Sequence, residues 1–128
     1  MSMLAVTDPN EAYRRSQLDA RVHGGNPAEL VRLCMEHVIA GLGGAVLAHQ
    51  RGEPTQRSKA LTRALTALTA LEMGVDRDAD LAQPLLHFYG AARQSLLASV
   101  TGFDPAALSA IRRDFLDISG AMGERQAS

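Results

Sequence analysis

Residues 26–50, NPAELVRLCMEHVIAGLGGAVLAHQ, are the stretch that most limits how this chain can fold. Asn26 can cap a helix, Pro27 suits the first helical position, and Glu29 stands where the acid of a capping box reaches back. The pattern therefore predicts a long helix that runs to about His49 and ends in an RGEP turn.

The apolar residues of this helix surround more of it than one packing face requires. At 3.6 residues per turn they form two stripes, and between Leu30 and Ala48 the charged residues are Arg32 and Glu36. A surface helix of a bundle usually has an apolar band a little over about 100° wide. Either this helix is the central one, or part of its band lines a groove for an amphipathic helix of another protein. The residue pattern leaves both interpretations open.

Three more helices are predicted further along the chain. The second spans about 55–74, the third about 78–99, and the fourth follows Asp104 as cap and Pro105 as first residue. Pro84 falls in the first turns of the third helix, which starts later or kinks there. Their predicted core stripes are Leu61, Leu65, Leu68 and Leu71, then Leu81, Leu85, Phe88, Tyr89, Ala92 and Leu96, and finally Leu108, Ile111, Phe115, Ile118 and Met122.

Composition and loop lengths together predict the fold class. Aromatic residues make up 4% of the chain, Trp is absent, and Ala and Leu are abundant, which favours helix. Short loops place neighbouring helices antiparallel. We therefore expect an all-α, antiparallel up-and-down four-helix bundle, with an additional short N-terminal helix or cap segment. It is expected to be a single domain over 1–128, with 1–12 and 123–128 mobile.

Charge and cysteine content argue against several classes of protein. The 13 basic and 14 acidic residues give a net charge of −1, so there is no basic excess for binding nucleic acid. The single cysteine excludes an internal disulfide and fits a reducing cytoplasm. We see no signal peptide, and the longest nearly uncharged apolar run, residues 38–48, is shorter than the about 20 residues that cross a bilayer.

Two groups of residues are candidates for metal or catalytic sites. Cys34 and His37 share a helix face, but no second pair at ligand spacing completes a metal site. Asp76, Asp78 and Asp80 alternate as in an EF-hand, yet the required glycine and bidentate glutamate are missing. The acidic run is expected to be a solvated loop whose last acid caps or charges a helix N-terminus. An enzyme built on either group would need a perturbed thiol pKa or a bound metal, and we expect neither cofactor nor metal.

Gly41, Gly43 and Gly44 lie within the first helix and need a compensating contact. A phosphate-binding loop would require a Lys-Ser/Thr end and a preceding strand, and both are missing. Each helical glycine costs about 1 kcal/mol relative to Ala, which close approach by another helix can offset. That helix could belong to this chain or to a partner, so a homodimer through the glycine-containing helix is an alternative.

The chain resembles the FliS family of flagellin export chaperones from about Ala12 to Met122. The resemblance rests on the order, spacing and lengths of several segments together. Met35 and Met122 stand where the family frequently has aromatic residues. The matching segments are 12-AY-13 with Val22 nine residues later, 27-PAELVRLCMEHVIAGL-42, 61-LTRALTALTALEMGVD-76, 80-DLAQPLLHFYGAARQSLL-97 and 104-DPAALSAIRRDFLDISGAM-122.

This resemblance implies a cytoplasmic chaperone that is not an enzyme. Such a protein would bind the C-terminal helical segment of flagellin, prevent its premature polymerisation and deliver it to the flagellar type III export machinery. No nucleic acid or membrane is implied, and the chain is expected to be a monomer or a weak homodimer. A different helical client remains the alternative.

The resemblance also implies where the client would bind. In the family the N-terminal segment near the tyrosine covers part of the groove when no client is present, so Tyr13, Leu18 and Val22 would form a displaceable cap. Burial in the bundle core would explain each of the groove candidates equally well. Those candidates are Val31, Met35, Val38, Leu42 and Val46, together with Tyr89 and Leu96.

Overall fold

The computed structural model describes residues 27–127, with side chains described for residues 27–122. The chain forms two compact units, residues 1–33 and 34–128. Of the first unit, the described part is the beginning of a helix, in which Arg32 and Glu29 form an exposed ion pair one turn apart. The packing described below is that of the second unit.

Four helices and no strand occur in the described part of the chain, as the sequence predicted. They lie antiparallel to their neighbours along the chain, and together they confirm an all-α four-helix bundle. The predicted short N-terminal helix or cap lies outside the described residues. The helices are α1 (Pro27–Gln50), α2 (Pro54–Met73), α3 (Ala82–Thr101) and α4 (Pro105–Ala127).

The turn between α1 and α2 follows from a glycine. The Glu53 N–H donates to the Ala48 carbonyl at 2.9 Å, and the Gly52 N–H donates to the His49 carbonyl at 3.2 Å. These two bonds end a helix when the residue just after its cap adopts the left-handed conformation. That residue is Gly52, whose φ is 66°. Pro54 then begins α2. The predicted RGEP turn is confirmed.

The start of α3 is later than its predicted start at about Asp78. The helix begins at Ala82, so Pro84 is its third residue, where the missing N–H has no helical acceptor in any case. Capping by an acid, one of the two roles predicted for the last acid of this run, does not occur, because the cap position is Leu81 and no side-chain bond caps the helix. Leu81 precedes the helix and is exposed, so its predicted place in the core stripe is wrong.

The start of α4 matches its prediction. Asp104 Oδ1 accepts a hydrogen bond from the Ala107 N–H at 3.1 Å, which is the expected N-cap geometry. Pro105 is the first helical residue. The helix continues to Ala127, beyond the last residue of the predicted stripe, Met122.

The core of the bundle is built from the predicted stripes, with small residues added. In α4, Leu108 and Phe115 are buried while Ile111, Ile118 and Met122 are half-buried. The buried apolar residues are Cys34, Met35, Val38, Leu42, Ala45, Ala48, Leu61, Ala64, Ala67, Leu68, Leu71, Ala82, Tyr89, Ala92, Leu96, Leu108 and Phe115.

Gly41 lets α1 and α2 approach each other closely. A Cβ atom added to Gly41 would lie 2.7 Å from the Ala60 carbonyl oxygen and 2.8 Å from the Ala64 nitrogen. A Cβ on Gly44 would also contact Ala60, at 3.4 Å. The helix that compensates for these glycines therefore belongs to this chain, and they give no reason to infer a dimer through α1.

Among the described residues, α1 is also the one helix whose length and composition would allow it to cross a membrane. The apolar part of α1 is longer than the uncharged run over 38–48, because the membrane criterion allows two charged residues, and Arg32 and Glu36 can be counted within it. The core helix of a soluble protein passes the same test, and α1 has a buried stripe that packs in this bundle.

Candidate partner-binding site

The groove candidates on α1 fall into two classes. Met35, Val38 and Leu42 are 0% exposed, whereas Val31 and Val46 are half-buried. The first three therefore contribute to the core in this structure, and a partner could reach them only after a rearrangement. Partner binding by any of the five stays a prediction.

The buried stripe of α1 occupies less than the whole apolar band. At 100° per residue, its seven buried residues cover an arc of about 140°. Ala40 and Leu47 lie outside that arc and are exposed, and Gly43 beside them is half-exposed. The Arg112 side chain of α4 lies against Gly43: a Cβ atom added to Gly43 would be 3.0 Å from Arg112 Nε. The surplus apolar surface is thus partly open to solvent.

The groove candidates on α3 lie inside the bundle. Tyr89 is 1% exposed and Leu96 is fully buried. The Tyr89 ring is nearly parallel to that of Phe115, with centroids 6.2 Å apart, and Phe88 lies 4.8 Å from the same ring. These aromatic contacts join α3 to α4. Tyr13, Leu18 and Val22, the predicted cap, lie outside the described residues.

The arrangement around Cys34 does not favour nucleophilic chemistry. Burial raises the pKa of the Cys34 thiol, which keeps it protonated and unreactive near neutral pH. Burial, with a smaller contribution from Cys34, also raises the pKa of Tyr89 to about 12. His37 is engaged elsewhere, because its Nδ1 accepts a hydrogen bond from Arg63 Nε at 3.1 Å. No cluster of metal-binding side chains occurs within the described ranges.

The acidic loop between α2 and α3 is held by its own backbone. The Asp78 N–H donates to Asp76 Oδ1 at 3.0 Å, and Asp76, Asp78 and Asp80 are all exposed. A short side-chain turn of this kind is common in solvated loops. The predicted solvated loop fits these contacts.

One end of the bundle carries a contact cluster that the sequence did not predict. The His49 and Phe103 rings stack with centroids 4.4 Å apart, and the Arg57 guanidinium lies 5.3 Å from the centre of the Phe103 ring. Arg57 Nη1 also donates to His49 Nδ1 at 3.1 Å. We call these three residues the end cluster. It joins the turn between α1 and α2 to the turn between α3 and α4.

A second feature that sequence reasoning missed is a face nearly without charge on α2 and α3. Within Ala82–Thr101, Arg93 is the sole Asp, Glu, Lys or Arg. Its Nη2 donates to Thr69 Oγ1 at 2.7 Å, and both its Nε and its Nη2 donate to the Glu72 carboxylate. The scarcity of charge along α3 is the sequence signal that could have revealed this face, whereas the apolar stripe of α3 points only to the core.

Comparison with known proteins adds evidence that the bundle alone does not give. A family model described as flagellar protein FliS matches residues 9–122. No curated protein and no solved structure is significantly similar to the chain. The matched span includes α1, α2, α3 and most of α4, and so takes in the whole helical core. The chain therefore belongs to the FliS family of flagellar proteins.

Proposed function

We propose that this chain is a cytoplasmic chaperone for the C-terminal helical segment of flagellin, which it keeps from polymerising prematurely and delivers to the flagellar type III export apparatus. FliS proteins are flagellar export chaperones that bind flagellin. The observation that carries the proposal is the family match over nearly the whole chain.

The chemistry of the bundle is consistent with binding rather than catalysis. An unpaired amphipathic segment of flagellin exposes an apolar face, which is an aggregation hazard until another surface covers it. The apolar side chains along α1 can provide that cover once they are accessible. The client becomes ordered when it binds and therefore loses conformational entropy. This loss lowers the affinity and favours release of the client before export.

The proposed groove follows the side of α1 that carries Val31, Met35, Val38, Leu42 and Val46. Because Met35, Val38 and Leu42 are buried in this structure, client binding there requires that whatever covers them move away. Met35 stands where the family frequently has an aromatic residue, and a methionine side chain is flexible enough to pack against a client side chain in its place. Tyr89 and Leu96 would line the groove from α3 once it is open.

On this proposal the covering group is the segment with Tyr13, Leu18 and Val22. Its release would cost free energy, so the observed affinity would be lower than that of an open groove. The cost would also discourage binding of weaker, unrelated apolar segments.

Calorimetric titration tests the proposal directly. The full chain is titrated with the C-terminal helical segment of flagellin from the same genome, at several temperatures. One-to-one saturable binding with a negative heat-capacity change is expected, because burial of apolar surface produces that sign. Failure to bind this segment, by a chain whose helical circular dichroism shows that it is folded, would contradict flagellin as the client and leave another helical client.

A matched pair of variants tests the location of the site. Val46→Glu introduces a charge at the half-buried edge of the proposed groove, whereas Leu116→Glu introduces one on α4 at an exposed position. The first substitution is expected to weaken flagellin binding about tenfold or more, and the second to leave it unchanged. Equal effects would place the binding site elsewhere.

A further inference from the structure

Arg112 of α4 reaches across to the backbone of α1. Its Nε, Cδ and Cζ atoms would be 3.0, 3.5 and 3.8 Å from a Cβ atom added to Gly43. The arginine side chain therefore occupies space that the side chain of any other residue would need at this position of α1. Because Gly43 has no Cβ, an arginine of α4 can lie directly against α1.

The surface of α1 around Gly43 is apolar. Residues three and four positions away in a helix lie on the same side of it. All four such neighbours of Gly43 are apolar, and none of them is fully buried. One of them, Val46, belongs to the proposed flagellin groove, so Arg112 lies at the edge of that groove. The four neighbours are Ile39, Ala40, Val46 and Leu47.

The Arg112 guanidinium has no counter-ion within the part of the chain that the structure describes. No hydrogen bond or ion pair joins it to another described residue. The sequence has no acidic residue within four positions of Gly43 in α1, and none three or four positions from Arg112 in α4. Arg93, the arginine that joins α3 to α2, differs because it is bonded to Glu72. Arg112 thus lies between two helices with its N–H donors unused by the described residues.

A guanidinium beside apolar side chains suits a ligand that is mainly apolar and also has a carboxylate. Arginine can bind a carboxylate through two parallel N–H···O bonds, which are stronger than hydrogen bonds between neutral groups. When the apolar part of the ligand covers the neighbouring surface, it displaces water from around the ion pair. The pair is then screened less than one that stands in open solvent.

We propose that Arg112 binds a carboxylate of the flagellin C-terminal segment at the edge of the groove, and that Gly43 positions the arginine for this contact. This role rests on the function proposed above and adds specificity to it. An apolar groove alone would accept many amphipathic helices, whereas a cation at its edge favours a helix with a carboxylate at the matching position. The carboxylate belongs either to an acidic side chain of flagellin or to its C-terminus.

Calorimetric titration of Arg112 variants of the full chain with the flagellin segment, at low salt, tests this role. Arg112→Gln should raise the dissociation constant about tenfold, because a charge-assisted, two-point contact is lost. Arg112→Lys should recover part of the affinity, since lysine keeps the charge but lacks the planar fork. Arg112→Met keeps a long side chain that can pack against Gly43, and it should bind as weakly as Arg112→Gln. Full affinity in Arg112→Met would show that the side chain only packs.

Arg113→Gln is the matched control. Arg113 has the same charge, is also exposed, and lies about 100° further around α4. This variant should bind flagellin as the unmodified chain does. Equal losses in Arg112→Gln and Arg113→Gln would overturn the proposal, because they would reveal a general effect of charge.

Variants of the flagellin segment identify the carboxylate. One has an amidated C-terminus, others have a single Asp or Glu replaced by the corresponding amide, and a last one has all of these changes. The segment that lacks the bound carboxylate should bind the unmodified chain about tenfold more weakly, and Arg112→Gln should cause no further loss with it. If Arg112→Gln still weakens binding of the segment that has none of these carboxylates, a carboxylate partner is disproved.

Gly43→Ala tests the positioning of the arginine. The added Cβ would be 3.0 Å from Arg112 Nε, so the flexible arginine must move away from α1. Flagellin affinity should fall about threefold, because the guanidinium is no longer held in place. The melting temperature should not fall, since alanine favours helix. An unchanged affinity would contradict the positioning role of Gly43.

Binding by the unmodified chain separates the failure of this role from the failure of the proposed function. If the unmodified chain does not bind the flagellin segment, the proposed function is wrong, and the role of Arg112 is wrong with it. If the unmodified chain and the Arg112→Gln variant bind equally well, only the role of Arg112 is wrong.

Discussion

Arg93 of α3 reaches across to Glu72 of α2 and donates to its carboxylate from two nitrogens, one of them Nε at 3.0 Å. Both side chains are partly exposed, so solvent screens this ion pair, but its two-point geometry makes it stronger than a simple surface pair. It is the principal polar link between these two helices among the contacts described above.

Removal of this link should weaken the bundle modestly. Glu72→Gln and Arg93→Gln are each expected to lower the free energy of unfolding by about 1 kcal/mol. Urea unfolding of the two single variants and the double variant measures their coupling. If the two single effects simply add in the double variant, the pair contributes no coupling and the interpretation is wrong.

Gly41→Ala should destabilise the protein, although alanine favours helix. The added Cβ would lie 2.7 Å from the backbone oxygen of Ala60, which cannot move without shifting α2. Overpacking of this kind costs about 1–3 kcal/mol. Thermal unfolding followed by circular dichroism measures the change.

Gly90→Ala is the control for that substitution. Apart from its own stretch of α3, no described atom lies within 4 Å of a Cβ placed at Gly90, so this variant should gain up to about 1 kcal/mol from helix propensity. Opposite signs for the two alanine variants are expected. A stabilised Gly41→Ala variant would mean that α1 and α2 pack less closely than described.

The buried Tyr89 hydroxyl predicts a loss of stability in alkali. The pKa of Tyr89 is raised to about 12 in the folded chain, from an ordinary value of 10.0. When a group has a higher pKa in the folded chain than in the unfolded chain, its contribution to stability is complete at pH values below the unfolded-state pKa. That contribution is lost as the pH rises toward and through the folded-state pKa. Unfolding should therefore become easier between about pH 10 and pH 12, by up to about 3 kcal/mol.

Tyr89→Phe isolates this contribution from other alkaline effects. Because the variant has no hydroxyl to ionise at this position, its free energy of unfolding should change less over the same pH range. The measurement is urea unfolding at pH 8, 10 and 11.5. Identical pH profiles for the two proteins would show that Tyr89 ionises as it does in water.

Tyr13→Ala tests the proposed cap. If residues 12–22 cover the groove until the client arrives, loss of the Tyr13 ring should reduce the cost of opening and raise flagellin affinity about three- to tenfold. Calorimetry of the variant and the unmodified chain measures the difference. A lower affinity would assign Tyr13 to direct client contact, contrary to the cap model.

Helix ends that depend on local chemistry are predictable from this sequence. The Asp104 cap and the Gly52 turn can be recognised because each is determined by a few neighbouring residues. The start of α3 differs from its prediction because Pro84 suits several positions within a first turn.

The candidate site is harder to predict, for a different physical reason. An apolar pattern gives the direction in which Met35 or Leu42 points along the helix, but not which element covers it. The stacking of His49 on Phe103 joins residues that are far apart in the sequence, and a local sequence pattern cannot indicate such a contact. The scarcity of charge on α3 is visible in the sequence, but the side of α3 that faces α2 becomes known only from the Arg93 bonds.

The end cluster of His49, Arg57 and Phe103 has a mechanical consequence. It fastens the turn that follows α1 to the turn that follows α3, so the two helical hairpins cannot spread apart there without breaking a ring stack and a cation contact. At the opposite end the two hairpins are joined by the chain itself, because residues 74–81 connect α2 to α3, and near that end by the bonds of Arg93 to Glu72. Separation of the hairpins would therefore start with the loss of the end cluster, and the 74–81 connection would act as the hinge.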